Sequence, residues 1–328
     1  MTSNAVVVCT WGEDRDGLPS GAEEPLTLGH KLSASLGTGL EWLVLGPLPE
    51  TVPEAAGRYG VAGIQRIGDA RLDSFQADPY VEALAQYCTQ RSPKLMLFPQ
   101  NLDSRLAAPR LAGRLGTAVV INGVDLEADA DGGIRITASA YGGDTRVVYE
   151  LAAGGPHVVA VMANATSPEP LETPAPAPAV EEVAVDLAGV EERIRVLEPA
   201  RFEGPRLEDA EIIVCGGRGL GEPENYKLVE ELAQVLGGLP GASRPLVDDG
   251  WVDSSKQVGL TGKITRPALY VAAGVSGASQ HMAGCAASKT IVAINTDADA
   301  AIFRHARYGI VGDCVEILPE LIRAAKQR

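Results

Sequence analysis

The sequence has 328 residues, 45% of them hydrophobic and only 5% aromatic, and its formal net charge at pH 7 is -15. This length suggests two domains, the negative charge disfavours nucleic acid or an anionic membrane as partner, and no apolar run reaches the roughly 20 residues needed for membrane insertion. Five cysteines without CxxC spacing, and a start without a basic targeting region, predict a cytoplasmic protein with reduced thiols.

Short apolar runs alternate with helical patterns in the first part of the chain. The predicted strands are AVVVCTW, WLVLGPL, KLMLFPQ and TAVVING. Between them, EEPLTLGHKLSASLG, YVEALAQYCTQR and LAAPRLAGRLG carry apolar residues at helical spacing. Alternating short strands and amphipathic helices indicate a mostly parallel sheet with helices on both faces.

The pattern changes after Gly123. RITASAYGG, TRVVYEL and HVVAVMA predict three further strands, and the Pro-rich residues 166–180 predict an extended surface segment. EEVAVDLAG and RIRVLEPA predict edge strands, and residues 198–210 predict a linker. We therefore expect an N-terminal α/β domain over 1–200, which has no ligand cluster of its own and would serve as a scaffold for a partner.

The alternation of strands and helices begins again in the last third. EIIVCGG, ALYVAAG, KTIVAIN and YGIVGD predict buried strands, and ENYKLVEELAQVLG, SGASQHMAGCAAS, ADAAIFRHA and VEILPELIRAAKQR predict helices. The predicted fold class is α/β with two doubly wound, mostly parallel-sheet domains. The second domain, over 208–328, is expected to be the smaller and to be Rossmann-like.

Each strand of the second domain ends in glycines or polar residues, and parallel strands bring such ends to the ligand-binding edge of a sheet. A tight turn without a ligand would equally explain the glycines of GVSGASQH, and GGRGLG lacks the GxGxxG spacing of a dinucleotide fingerprint. The polar residues 242–263 predict a long functional loop. The four His and five Cys show no metal-ligand spacing, so no metal site is expected.

His281 poses a separate question, because a lone histidine beside an apolar helix is more often a core residue than a working one. At the ligand edge, however, it would donate a hydrogen bond to a carbonyl oxygen of a ligand, and its charge would respond to negative charge there. On that interpretation we expect it to titrate near neutrality.

Six sequence blocks occur together in one order: CGGRGLG, GASRPLVDDGW, QVGLTGK, ALYVAAGVSGASQHMAG, SKTIVAIN and YGIVGD. Together they resemble the C-terminal signature of the alpha subunit of electron-transferring flavoproteins, over roughly residues 211–319. The first domain resembles the family more weakly, through LFPQNLDSRLAAPRLAGRLGTAVVINGVDLE and YGGDTR. The resemblance implies a heterodimer with a beta subunit and one FAD held mainly by the second domain. It implies a redox carrier, rather than a stand-alone enzyme, between a donor dehydrogenase and an acceptor such as a membrane quinone oxidoreductase.

The resemblance also implies roles for individual residues. Arg218 lies near the FAD pyrophosphate, Arg244 near N5 of the flavin ring, and His281 at the flavin O2 carbonyl. Thr261 hydrogen-bonds the flavin, and Asn295 lies on the adenosine side. Arg244, His281 and Thr261 would tune the flavin potential. The full set of implied cofactor-binding residues is Arg218, Ser243, Arg244, Val258, Gly259, Leu260, Thr261, Ser276, Gly277, Ala278, Ser279, Gln280, His281, Asn295, Asp313 and Cys314.

Some positions depart from the family pattern. Leu260 stands where glutamine is common, Ser279 where an aliphatic residue is usual, and Cys285 where methionine is usual. Two alternatives stay open at this point. One is a flavin-bifurcating relative that uses NADH, with a second flavin on the beta subunit. The other is a non-redox adenine-nucleotide-binding module, which would not require Arg244, Thr261 or His281.

Overall fold

The structure is a computed structural model that describes residues 4–12, 18–19, 21–129, 131–141, 145–152, 154–163, 165–194 and 205–327. It divides into two compact units. The first comprises Met1–Ala140 and Arg146–Pro199, and the second comprises Tyr141–Thr145 and Ala200–Arg328. The boundaries expected from the sequence, 1–200 and 208–328, stay a prediction.

The first unit has nine strands and four α-helices among its described residues. In chain order they are β1 (Val6–Trp11), α1 (Glu23–Leu36), β2 (Leu40–Leu45), α2 (Val52–Arg58), β3 (Gly63–Ile67), α3 (Ala77–Arg91), β4 (Leu95–Pro99), α4 (Leu102–Leu115), β5 (Val119–Ala128), β6 (Ile134–Ala140), β7 (Thr145–Glu150), β8 (His157–Val161) and β9 (Val180–Glu182).

These strands form one sheet in the order β7-β6-β5-β8-β4-β1-β2-β3-β9. Strands β5 and β6 pair antiparallel, whereas β5–β8, β8–β4, β4–β1, β1–β2, β2–β3 and β3–β9 are parallel. The central strands are buried on both faces, which explains their unbroken apolar runs. The one polar group of the fully buried Trp42, its indole N–H, donates to Thr10 at 2.9 Å.

The structure changes some expectations for this unit. Strand β3 is present although its short sequence GIQRI was not predicted as a strand. Only β9 forms where EEVAVDLAG predicted a longer strand, and residues 184–194 are not in a strand. Most of RIRVLEPA lies outside the described residues. The Pro-rich segment hydrogen-bonds to the end of α2 through Leu171 N–H to Arg58 and Ala175 N–H to Gly57. This segment has no regular structure before β9 begins at Val180, as its composition predicted.

The second unit has five strands and four α-helices among its described residues. They are β10 (Ile212–Gly216), α5 (Tyr226–Leu236), β11 (Leu239–Ala242), α6 (Arg244–Asp248), β12 (Leu269–Ala273), α7 (Ser279–Met282), β13 (Thr290–Asn295), β14 (Tyr308–Val311) and α8 (Cys314–Ala325). The sheet is wholly parallel, in the order β11-β10-β12-β13-β14. All its strands therefore end at one edge, and the predicted fold class of two mainly parallel α/β domains is confirmed.

Four expectations for the second unit were wrong in detail. YGIVGD was expected to be a buried strand, but β14 is mostly exposed because it lies at the edge of the sheet, with Tyr308 58% and Val311 61% accessible. SGASQHMAGCAAS forms only the short helix α7, and ADAAIFRHA forms a 3₁₀ helix at Ala301–Arg304. The expected long loop over 242–263 contains α6 and a 3₁₀ turn at Ser254–Lys256. Strand β11 was missed, because LPGA carries a Pro and a Gly that disfavour strands, although at a sheet edge Pro is tolerated.

Among the helices that the structure describes, none is both long enough and apolar enough to cross a membrane.

Candidate functional site

A pocket of about 500 Å³ lies in the second unit where the strands end. It is built from the segments that follow β10, β11, β12 and β13, together with the loop after α6. Its lining residues are Arg218, Gly219, Ser243, Arg244, Pro245, Gln257, Val258, Gly259, Leu260, Thr261, Gly274, Val275, Ser276, Ala278, Gln280, His281 and Asn295. Residues that are far apart in the sequence thus converge because the sheet is parallel.

Two glycines let the backbones at the base of the pocket touch. A Cβ on Gly274 would lie 2.8 Å from the backbone of Gly219, and a Cβ on Gly219 would lie 2.7 Å from Cα of Gly274. Both distances are far below a normal contact, so neither position accepts a side chain. The Gly219 N–H donates to the Gly274 carbonyl at 3.0 Å, which fixes the ends of the segments following β10 and β12 together.

The turn from β12 to α7 offers a row of unused donors. The backbone N–H groups of Val275, Ser276, Gly277 and Ala278 donate no hydrogen bond to any described residue. Consecutive free N–H groups in a turn of this kind favour an anion. Gly277 has φ +80°, and a Cβ there would lie 2.3 Å from the Ile302 nitrogen, so the turn needs glycine at this position.

The charges at the pocket are positive although the chain as a whole is acidic. Arg218 and Arg244 line it, and no Asp or Glu does among the described residues. Each arginine also has an exposed partner outside the lining: Arg218 donates to Asp249 at 3.4 Å, and Arg244 donates to Asp248 at 3.1 Å. Such exposed pairs are weak and exchange readily, which leaves both guanidinium groups able to turn to an anionic ligand.

The loop after α6 places a hydroxyl at the pocket. Gln257 is buried, and its side-chain amide donates to the Thr261 hydroxyl oxygen at 3.0 Å. With its oxygen already accepting, the Thr261 hydroxyl keeps its hydrogen for another partner. The loop is anchored to α7, because the Leu260 N–H donates to the Gln280 carbonyl at 2.7 Å.

His281 is the third residue of α7 and is 8% exposed. Its Nε2 lies 3.1 Å from the hydroxyl of Tyr270, a fully buried residue of β12. Its Nδ1 is buried and has no hydrogen-bond partner among the described residues. A buried ring nitrogen without a partner is costly in a folded chain, and at the wall of a pocket it indicates a site for a ligand atom.

The expectation that His281 titrates near neutrality concerns the site with negative charge on a bound ligand, so it stays a prediction, and the ligand-free chain differs. Burial lowers the pKa of His281 to about 4, because the charged ring would lose its hydration. The nearby backbone of Val258 opposes this shift, although it forms no hydrogen bond with Nδ1. The imidazole is therefore neutral at pH 7 in the absence of a ligand.

Four of the residues implied by the resemblance do not line the pocket. Gly277 and Ser279 lie in the turn and first position of α7, beside the lining residues. Asp313 caps α8 by accepting from the Val315 N–H at 2.8 Å. The buried Cys314 directs its thiol to the Gly219 carbonyl at 3.4 Å, so it supports the pocket base from below.

Asn295, which does line the pocket, joins two strand ends. Its side-chain amide donates to the Val275 carbonyl at 2.9 Å, and its oxygen accepts from the Asp297 N–H. The lining residues that the implied set lacked are Gly219, Pro245, Gln257, Gly274 and Val275. The glycines could have been found from their place at the strand ends, but no sequence signal indicates that Gln257 supports Thr261.

Comparison with known proteins gives a family for both units. Residues 206–286 match the family model of the electron transfer flavoprotein FAD-binding domain, and residues 12–188 match that of the electron transfer flavoprotein domain. The electron transfer flavoprotein subunit alpha of Thermoanaerobacterium thermosaccharolyticum is 34% identical over 320 residues, which cover 97% of this chain and 97% of the relative. The chain belongs to the alpha-subunit family of electron transfer flavoproteins.

Other members of this family match over nearly the same span. The electron transfer flavoprotein subunit alpha of Mycobacterium leprae is 36% identical over 312 residues, covering 91% of this chain and 94% of the relative. Protein FixB of Clostridium saccharobutylicum is 34% identical over 324 residues, covering 98% of this chain and 96% of the relative. The resemblance inferred from the sequence blocks is therefore confirmed.

The cofactor of this family's second domain is FAD, and the pocket fits it. The free N–H groups of 275–278 and the guanidinium of Arg218 suit a diphosphate, while the unpartnered Nδ1 of His281 and the hydroxyl of Thr261 suit polar atoms of an aromatic ring system. The glycine pair at the base lets the two segments that carry several of these groups approach each other closely.

We expect Gly277→Ala to lower both the free energy of unfolding and the affinity for FAD. Alanine at φ +80° costs about 1 kcal/mol on its own, and the added Cβ must also displace the Ile302 backbone. Gly250→Ala is the matched control, since Gly250 has φ +74° with nothing within 4 Å of the added Cβ. Chemical unfolding and FAD titration of both variants measure the difference. Equal losses in the two variants would contradict a crowded turn at Gly277.

We expect the chain without FAD to lose stability between pH 7 and pH 5 faster than His281→Gln does. The pKa of His281 is about 4 in the folded chain and 6.5 when the side chain is exposed. Below pH 6.5 the histidine is therefore protonated in the unfolded chain while it stays neutral in the folded chain. Stability then falls by about 1.4 kcal/mol for each pH unit, or about 2 kcal/mol by pH 5. The exposed His305→Gln is the control for urea unfolding at each pH. Parallel pH profiles of wild type and His281→Gln would show that His281 is not buried and neutral.

Proposed function

We propose that this chain is the FAD-carrying subunit of a two-subunit redox carrier, which takes electrons from a flavoprotein dehydrogenase and passes them to an acceptor such as a membrane quinone oxidoreductase. The single observation that carries the proposal is the composition of the pocket wall. It combines two arginines, an unpartnered buried imidazole nitrogen and four free backbone N–H groups, with no acidic side chain among the described residues.

The first group of these residues accounts for binding. The N–H groups of Val275 to Ala278 and the side chain of Arg218 would hold the diphosphate, and Gly219 and Gly274 bring the two segments that carry these groups together. Asn295 would face the adenosine side of FAD. Because these contacts are spread over several strand ends, no single side chain dominates the affinity.

The second group accounts for redox function. FAD, when bound, supplies the reversible uptake and release of electrons. Arg244 would stabilise negative charge on the ring, and His281 and Thr261 would donate hydrogen bonds to its polar edge. A protein that bound only an adenine nucleotide would not need Arg244, His281 and Thr261 in its pocket. The presence of these three side chains therefore supports redox function over that alternative.

A companion subunit is supported by the names of the relatives, which are called subunits. The chain also covers nearly their full length. The first unit supports this proposal in a different way. Strand β7 lies at the edge of its sheet and exposes Val148 and Tyr149, with 62% and 44% of their surfaces accessible. Exposed apolar residues on an edge strand suit a protein partner.

We expect Arg244→Ala to lower the flavin reduction potential while FAD affinity changes by less than tenfold. For an exposed charge an effect on the order of 1 kcal/mol is reasonable, which corresponds to roughly 40 mV for one electron. Asp248→Asn should shift the potential in the opposite direction, because it removes the negative partner of Arg244. Arg323→Ala, at an exposed ion pair of α8, is the control. Potentiometric titration of the wild type and the three variants measures these shifts. An unchanged potential in Arg244→Ala would show that Arg244 does not tune the flavin.

We expect the chain purified alone to be depleted of FAD, and the chain purified with its beta subunit to be yellow and to contain one FAD. The physical reason is that the pocket is open at one side and its two arginines are exposed, so a partner surface would raise FAD retention by closing it. Flavin absorbance after size-exclusion chromatography measures the content. A monomer that keeps a full complement of FAD would contradict the need for the partner.

A further inference from the structure

A buried hydrogen bond lies directly behind the pocket wall. The hydroxyl of Tyr270 in β12 is 3.1 Å from Nε2 of His281, and the tyrosine is completely buried. Tyr270 does not line the pocket, whereas His281 does. The other ring nitrogen of His281, Nδ1, is the one without a partner among the described residues. Whatever Tyr270 does to Nε2 therefore decides what Nδ1 offers to a bound molecule.

Only two arrangements are possible for a neutral imidazole, which carries one proton. In the first, Tyr270 donates to Nε2 and the ring proton lies on Nδ1, which is then a donor. In the second, Nε2 carries the proton and donates to the tyrosine oxygen, and Nδ1 is a bare acceptor. Burial keeps the ring neutral, so a doubly protonated form is not a third choice at pH 7.

The neighbours of the Tyr270 hydroxyl favour the first arrangement. Besides His281, the side chains among the described residues that interact with it are the thiols of Cys215 and Cys285, both fully buried. These thiols point to the backbone carbonyls of Gly216 and His281, at 3.8 and 3.7 Å. In the second arrangement the hydroxyl hydrogen would have only sulfur to bond, which is a weak acceptor. A buried hydroxyl without a good acceptor is costly, whereas donation to Nε2 satisfies it.

We propose that Tyr270 is a positioning residue: it donates its hydroxyl hydrogen to Nε2 of His281, and this holds the imidazole proton on Nδ1, where it is available as a hydrogen-bond donor to an acceptor atom of FAD. The inference rests on the proposed role of His281 at the flavin. It explains why a tyrosine hydroxyl lies in an otherwise apolar strand: the hydroxyl fixes the tautomer of His281, eleven positions later in the chain.

The consequence is that one hydrogen bond in the core sets the next one at the pocket wall. Strand β12 holds Tyr270 rigidly in the core, Tyr270 fixes the proton of His281, and His281 presents Nδ1–H at the wall. In the opposite tautomer Nδ1 would carry a lone pair and would repel a carbonyl oxygen. The hydroxyl of Tyr270 thus determines whether the site attracts or repels an acceptor, although it never touches the ligand.

The tautomer can be measured directly by nitrogen-15 NMR of the full chain without FAD, labelled at histidine, because an acceptor atom of bound FAD would by itself hold the proton on Nδ1. The sequence has four histidines, and the signals of His281 are identified by their loss in His281→Gln. We expect an unprotonated Nε2 and a protonated Nδ1 in the wild type. In Tyr270→Phe, which keeps the ring and removes only the hydroxyl, we expect Nε2 to become protonated in most molecules.

Tyr226→Phe is the matched control. It also removes a buried hydroxyl of the second unit, one that donates to the Gly241 carbonyl at 3.1 Å, and it does not contact His281. Its His281 signals should equal those of the wild type. A protonated Nε2 in the wild type would overturn the proposal, and so would an unchanged tautomer in Tyr270→Phe. If Tyr270→Phe does not fold, the wild-type spectrum still decides between the two arrangements.

The flavin potential, measured on the same variants after they are loaded with FAD together with the beta subunit, separates this inference from the proposed function. A tautomer that switches in Tyr270→Phe together with a lower potential supports both. A tautomer that switches while the potential stays constant supports the hydrogen bond from Tyr270 and overturns the role of His281 at the flavin. A constant tautomer with a changed potential overturns the positioning role alone.

Discussion

The close approach of two backbones at Gly219 and Gly274 is the constraint on which the candidate site depends. Because neither residue has a side chain, the segments after β10 and β12 meet directly and are joined by a hydrogen bond of 3.0 Å. The turn over 275–278, whose N–H groups donate to no described residue, begins directly after this contact. Two further hydrogen bonds hold the same segments: the thiol of Cys314 donates to the Gly219 carbonyl, and the side chain of Asn295 donates to the Val275 carbonyl. The shape of the pocket is thus determined mainly by backbone geometry, and its side chains supply the polar groups that line it.

The parts of the molecule that could be predicted well are those determined by local pattern and by parallel topology. ALYVAAG and KTIVAIN are continuous apolar runs between glycines and polar residues, and such runs become buried strands almost irrespective of context. Once the strands are parallel, their ends must meet, which is why Arg218, Ser276 and Asn295 could be grouped from their positions in the amino-acid sequence. The family blocks then added Arg244 and Thr261, which lie between strands and carry no periodic signal.

The parts that could not be predicted depend on contacts between distant residues. The support of Thr261 by Gln257 needs a loop conformation, and the hydrogen bond of Tyr270 to His281 needs the packing of α7 against β12. In the sequence Tyr270 is simply one apolar residue of a buried strand. Strand β11 was missed for a related reason: its Pro240 is acceptable only at an edge, and edge position is a property of the whole sheet. The charge state of His281 also follows from burial, which spacing alone does not reveal.

The charge state of His281 decides what Arg244 and His281 would each contribute to a bound flavin. Arg244 is exposed and already balanced in part by Asp248, so its influence on negative charge at the ring is screened by solvent. His281 is buried, and to be protonated at pH 7 its pKa would have to rise from about 4 to about 7, which takes about 4 kcal/mol of added interaction. A full negative charge about 4 Å away, at an effective dielectric constant of about 20, supplies about that much as an upper value. On these values the imidazole would stay at or below half protonation even beside a negative charge, and in the proposed role it would act mainly as a neutral hydrogen-bond donor. Such a donor would depend on the tautomer more than on pH, so under the proposed roles the hydroxyl of Tyr270 would matter more to the site than the titration of the histidine.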